Sequence, residues 1–141
     1  MNYLLLFCMF FSCTKEPIKE EITIEKIIVY EDFYKAGTTA LLKNVFKDPL
    51  SYEVDTVFIN VKDEDVSDFE FILNNADVKK HKQMKLNVDL ALLVKIQGRE
   101  HYFVISRSND VIIDLTDNLN YRLNTDELQK KATEFVRKYD Q

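Results

Sequence analysis

Residues with chemical potential fall in a few short stretches of the chain. Asp63, Asp65, Ser67 and Asp68 have the density of a calcium loop. A loop of the EF-hand type needs Gly at its sixth position and Glu at its twelfth. Counted from Asp63, those positions hold Asp68 and Asn74, so the acids read instead as the opening of a helix, where its dipole favours them. Asp114, Thr116, Asp117, Asn118 and Asn120 have the makings of a cation loop, although turns favour the same residue types with no metal at all. The two histidines, His81 and His101, are far apart, and no cysteine follows Cys13, so a structural zinc site is not expected. His101 is expected to be exposed at the start of a strand. Ser106 and Ser108 lie near it, but no Gly-x-Ser-x-Gly elbow surrounds them. Two glycines in the whole chain leave no room for a phosphate-binding loop. The sequence therefore nominates no catalytic, cofactor-binding or metal residue, and the expected protein is not an enzyme. A hydrolase without a recognisable motif is the outlying alternative.

Cysteine chemistry is confined to the N-terminus, at Cys8 and Cys13. Tyr3 to Phe11 is an unbroken apolar run, far short of the about 20 residues that a membrane-spanning helix needs. It fits the apolar core of a secretory signal; the competing reading is a buried N-terminal strand. Ordinary signal cleavage wants small residues at the third and first positions before the cut. Ser12 is small but Phe10 is not. Phe10-Phe11-Ser12-Cys13 instead resembles the lipobox of bacterial lipoprotein signals, with Phe10 standing where Leu is usual and no basic residue in Met1-Asn2. That resemblance implies cleavage after Ser12 and a diacylglyceryl group on Cys13, so that residues 1–12 are a signal peptide. Thr14-Lys15-Glu16 resembles, more weakly, the Lys-then-acid signal of surface-exported lipoproteins. The implied address is the bacterial cell envelope, with the outer membrane favoured.

The elements that would position any site lie beyond a polar tether, residues 13–21. Of the 141 residues, 46% are apolar and 30% charged, a balance typical of a folded domain, and residues 22–141 are about one domain's length. The net charge of −5 arises wholly after residue 14. Such a surface repels phosphate backbones, which argues against nucleic acid as a partner. The one basic cluster, Lys79, Lys80, His81, Lys82 and Lys85, reads as a solvated loop, with anionic lipid headgroups as the sharper alternative.

Ile22 to Tyr30, rich in β-branched residues, reads as the first strand. Thr38 to Phe46 has the spacing of a short helix. Val54 to Val61 reads as a second strand. Asp63 opens a helix with Val66, Phe69, Ile72 and Leu73 toward the core, ended by Asn74-Asn75. Leu86 to Gln97 alternates, with Leu86, Val88, Leu90, Leu92, Val94 and Ile96 on a buried face and Ala91 and Leu93 on a wetter one. Gly98-Arg99 turns it into a partner strand, His101 to Ser106. Val111 to Leu115 follows, and Tyr121-Arg122-Leu123 adds a short edge piece. Asn124 and Glu127 suggest a capping box for a last helix, with Leu128, Ala132, Phe135, Val136 and Tyr139 as its apolar stripe. The expectation is α+β: an antiparallel sheet of four to five strands with two or three helices packed on one face. The pattern from Asp55 to Leu123 also resembles that of small envelope lipoproteins of unassigned role.

A lipid-anchored, non-enzymatic module that binds an envelope protein, as an inhibitor, immunity or assembly accessory, is the expected function. Tyr30, Phe33 and Tyr34 are candidate aromatic contacts for such a partner. A small-ligand or glycan-binding lipoprotein is the alternative.

Overall fold

The computed structural model describes residues 21–30, 54–81, 88–106, 108 and 110–139. Cys13 and its signal, the expected helix over 38–46, Phe33, Tyr34, Lys82, Lys85 and Leu86 lie outside what is described, as does the side chain of Tyr30. Nine elements follow in order. They are β1 (Ile22–Tyr30), β2 (Val54–Phe58), α1 (Asp63–Asn75), β3 (Asp77–Lys80), β4 (Val88–Ile96), β5 (Arg99–Ser106), β6 (Val111–Asp114), β7 (Leu119–Arg122) and α2 (Asp126–Tyr139).

The α+β class and the antiparallel sheet are as expected; the strand count is not. Among the described residues one sheet holds seven strands, in the order β2-β1-β4-β5-β6-β7-β3, every pair antiparallel. The surplus comes from two short strands. Leu119–Arg122 is an interior strand rather than an edge piece. Asp77–Lys80, expected as basic loop, pairs along its whole length with β7. One apolar residue in four gives β3 no readable alternation, and its pairing with β7 supplies the order instead.

Both helices contribute to one core on one face of the sheet, where Ile27, Val29, Leu90, Leu92, Val94, Phe103, Ile105 and Ile112 meet Phe69, Ile72, Leu128, Phe135 and Val136. The stripe of α2 is buried at all five expected positions. Phe69 meets Phe103 edge-on, with ring centroids 5.4 Å apart, and Phe58 meets Tyr139 likewise at 5.1 Å. Such pairs add about 0.5–1.5 kcal/mol beyond area burial. The cap of α2 is Thr125, whose Oγ1 accepts the Leu128 amide at 3.3 Å; Asn124 instead reaches Asp77.

Two irregularities redirect side chains. The β4–β5 register shifts between Val88 and Leu90. Val88 is therefore opposite Ser106, on the face away from the helices, and is absent from the core it was expected to join. A second shift between Ile24 and Lys26 keeps both Ile24 and Ile27 on the helix side. The far face is not the wet surface that alternation suggests. Ile28, Ala91, Val104 and Ile113 are neighbours across four strands and are each 2% exposed or less.

The β4–β5 turn is Gln97-Gly98, one residue earlier than expected, with φ of 50° and 79°. Two positive φ values make the hairpin turn whose twist matches the strands. No helix among the described residues is long and apolar enough to cross a membrane.

Candidate functional site

Three polar constellations emerge from the fold. The first is a groove where the start of β1 passes the first turns of α1, with Ile22, Ile24, Val61 and Val66 as apolar lining. Glu21, Asp63 and Glu70 bring three carboxylates to it, and none of its described lining residues is basic. Its volume is about 570 Å³. Local sequence accounts for it. Asp63 and Glu64 favour the first turn of α1, and the β1 irregularity leaves Ile22 and Ile24 on the helix side. Beyond the groove, Ile59 at 67% and Val57 at 42% exposure mark the chain around the end of β2.

The second constellation joins the helices. Asp65, expected at the helix start, is in the first turn of α1 and buried. Its Oδ1 accepts from Lys138 Nζ at 2.5 Å and its Oδ2 from the Tyr139 hydroxyl at 2.5 Å. Asp68 extends the set to Lys138 at 3.3 Å and Lys131 at 3.5 Å. Burial alone would raise the Asp65 carboxyl, but the hydrogen bonds from Lys138 and Tyr139 outweigh it and hold the group below its ordinary value. Burial first, and Asp65 second, push the Tyr139 hydroxyl upward. The hydrogen bond to Asp65 raises Lys138, against a smaller effect of desolvation.

The third lies at the end of the sheet. His101, expected to be exposed, is buried, and Asp114 beside it is more so. His101 Nδ1 is 2.9 Å from Asp114 Oδ2 and 3.8 Å from Asp117 Oδ2. The ring stacks on Phe103, one position along the same strand face. The β6–β7 turn explains the presentation of the acids. Asp114 Oδ1 accepts from the amides of Thr116 at 2.7 Å and Asp117 at 3.1 Å, and Asn118 takes the left-handed conformation at φ 56°, which Asn tolerates. Arg99 Nη2 donates to Asp117 Oδ1 at 2.7 Å. These residues border a polar cleft with Ile96, Gln97 and Tyr121. No serine, cysteine or lysine is among its described lining residues.

Ser106 and Ser108 both donate to Asp110 Oδ1. That arrangement folds the β5–β6 turn, and those hydrogen bonds, chiefly the one from Ser108, hold Asp110 below its ordinary value. His81 is 2.6 Å from Asn120 Oδ1 and remote in sequence from His101. The polar residues from Asp114 to Asn120 thus divide: Asp114 and Asp117 converge, Asn118 shapes the turn, and Asn120 faces His81. The convergence of His101 with them has no local signal, since it depends on the pairing of β5 with β6. No family model, curated protein or solved structure matches the chain.

Proposed function

We propose that this chain is a lipid-anchored protein of the bacterial envelope, held through Cys13, and that its folded domain is a non-enzymatic module that binds a protein partner. The groove between β1 and α1 is the observation that carries the reading. An apolar lining beside Glu21, Asp63 and Glu70 suits a segment that alternates apolar and basic side chains. Apolar contact supplies the affinity and the acids select the partner and steer its approach. Glu21 is the last residue of the expected tether, so the groove opens where the anchored arm joins the domain.

Anchoring is tested by Cys13→Ala in a lipoprotein-processing host. The variant should leave the membrane fraction and accumulate as uncut precursor; normal processing and membrane retention would refute the anchor. Binding is tested with an amphipathic Lys/Leu peptide and the full chain in detergent. Reversing two rim charges together, Asp63→Lys with Glu70→Lys, should weaken binding roughly 5- to 30-fold, at about 0.5–1 kcal/mol per exposed charge pair. The loss should shrink as salt rises. The second reading, a small apolar ligand or glycan, draws on the groove's volume, which is ordinary for such pockets. Affinity for the peptide that ignores both charge reversal and salt would favour that reading.

A further inference from the structure

We propose that His101, Asp114 and Asp117 form a site for one divalent transition-metal ion of the zinc type. The three side chains each offer one ligand atom, and those atoms lie within 4.8 Å of one another. A tetrahedral ion with ligands at about 2.0–2.1 Å holds them roughly 3.3–3.4 Å apart. The observed His101 Nδ1 separations of 2.9 Å and 3.8 Å bracket that spacing, so modest side-chain rotation admits the ion.

Orientation supplies the second argument. Each carboxylate is held by one oxygen and turns the other toward His101. Asp114 Oδ1 is occupied by two turn amides, leaving Oδ2 toward the ring. Asp117 Oδ1 is occupied by Arg99, leaving Oδ2 toward the ring. The turn amides that fix Asp114 from behind are the kind of hydrogen bond metal sites use to set geometry; Arg99 orients Asp117, but its charge opposes that of an ion.

Burial supplies the third. His101 is 7% and Asp114 1% exposed, on the helix-side face that Phe103 and Ile105 fill with apolar groups. Replacing a buried polar pair by apolar residues of similar volume is often neutral or stabilising, so stability alone gives no reason for this pair. One imidazole and two carboxylates without sulfur suit zinc, manganese or ferrous iron and not cuprous copper. Calcium wants six to eight oxygens, more than these side chains provide. Three protein ligands leave a fourth position facing the cleft, as in zinc sites that take a water or an exogenous ligand. Arg99 is a competing cation on the same aspartate, which weakens the site without closing it.

Calorimetric titration of zinc chloride into the chelator-stripped full chain, in detergent and without a histidine tag, tests this. One ion per chain should bind, with magnesium and calcium silent over the same concentrations. His101→Gln should lower zinc affinity at least about 100-fold and Asp117→Asn about 10- to 100-fold, the scale of losses at metal-site residues. Asp117 is on the surface turn, so its variant keeps the test decisive where His101→Gln unfolds; thermal melting identifies that case. Arg99→Ala should raise affinity severalfold by removing the competing charge. No zinc binding by the unmodified chain overturns the proposal. So does binding that Asp117→Asn leaves unchanged, or several weak ions per chain, the sign of adventitious carboxylate binding.

Discussion

Asp65 and Asp114 are both nearly out of water, at 5% and 1% exposure, yet they are satisfied in opposite ways. Asp65 spends its two oxygens on two donors from a remote helix, Lys138 and Tyr139. The set is closed on itself, because each partner's donor is directed at the carboxylate. Asp114 spends one oxygen on its own turn and turns the other to His101, beside an Asp117 already shared with Arg99. That set borders a cleft. A buried acid tied off by distant donors fastens elements together. A buried acid held by its own turn, with its other oxygen on a histidine at a cleft, joins residues of one sheet end instead.

The comparison can be broken from the closed side first. α2 is held by apolar contact as well as by Asp65, and Phe135, 1% exposed, is its largest fully buried side chain. Phe135→Ala should cost about 3–5 kcal/mol in chemical denaturation, a large share of a typical domain's roughly 5–15 kcal/mol. A change below about 0.5 kcal/mol, the range of surface sites, would mean that α2 does not belong to the core.

Asp65→Ala should rank second, at about 1.5–3 kcal/mol, the scale of hydrogen bonds to a charged group. Lys138 is 38% exposed and recovers water, so the loss falls mainly on buried Tyr139. The pH dependence follows from the direction of each shift. Asp65 titrates lower in the folded chain than unfolded, so its contribution is whole above the unfolded value of about 3.9. It is lost as pH falls further, through the folded value. Lys138 and Tyr139 titrate higher when folded. Their contribution is whole below about pH 10 and fades as pH rises beyond it. The stability gap between the wild type and Asp65→Asn should therefore be flat from about pH 5 to 9 and narrow below about pH 4. A gap that widens in acid would show that Asp65 is not the charged partner described.

The open side should respond least. Arg99 and Asp117 are surface partners, with the arginine side chain 63% exposed. Arg99→Ala should change thermal stability by less than about 0.5 kcal/mol without metal. A loss above about 1.5 kcal/mol would make the sheet-end cluster a fastening like the first and erase the contrast.

Legibility followed the reach of the forces involved. The α2 stripe and the β1 strand were readable because 3.6-residue periodicity and β-branched content are local properties. Val88 was misplaced because a one-residue irregularity flips every side chain beyond it, and nothing in the composition of β4 marks the shift. Ala91 reads as neutral on a strand, yet lies in a row with Ile28, Val104 and Ile113 that forms only when four strands are in register. His101 was misjudged for the same reason. Its partners arrive from β6 and the following turn, and an acid in a turn has a sufficient local explanation. The groove was half legible: the acids of α1 announced a helix start, while Glu21 joins them only once β1 lies alongside.

The placement of β3 bears on how the chain becomes folded. Among the described residues β3 sits at the sheet's edge and pairs only with β7, so residues 77–80 wait for residues 119–122. The β4–β5 hairpin closes through a two-residue turn and carries the shortest loop-closure cost in the sheet. That hairpin is local in sequence, whereas the β3–β7 pair joins residues far apart in the chain. During that interval β3 is an unpaired strand in a chain emerging from synthesis. Its composition suits the wait: Asp77, Lys79 and Lys80 surround a single exposed apolar residue, Val78. Charges on an unpaired strand discourage pairing with a neighbouring chain. Lys79 and Lys80 thus suit a strand at the edge whose partner is made after it.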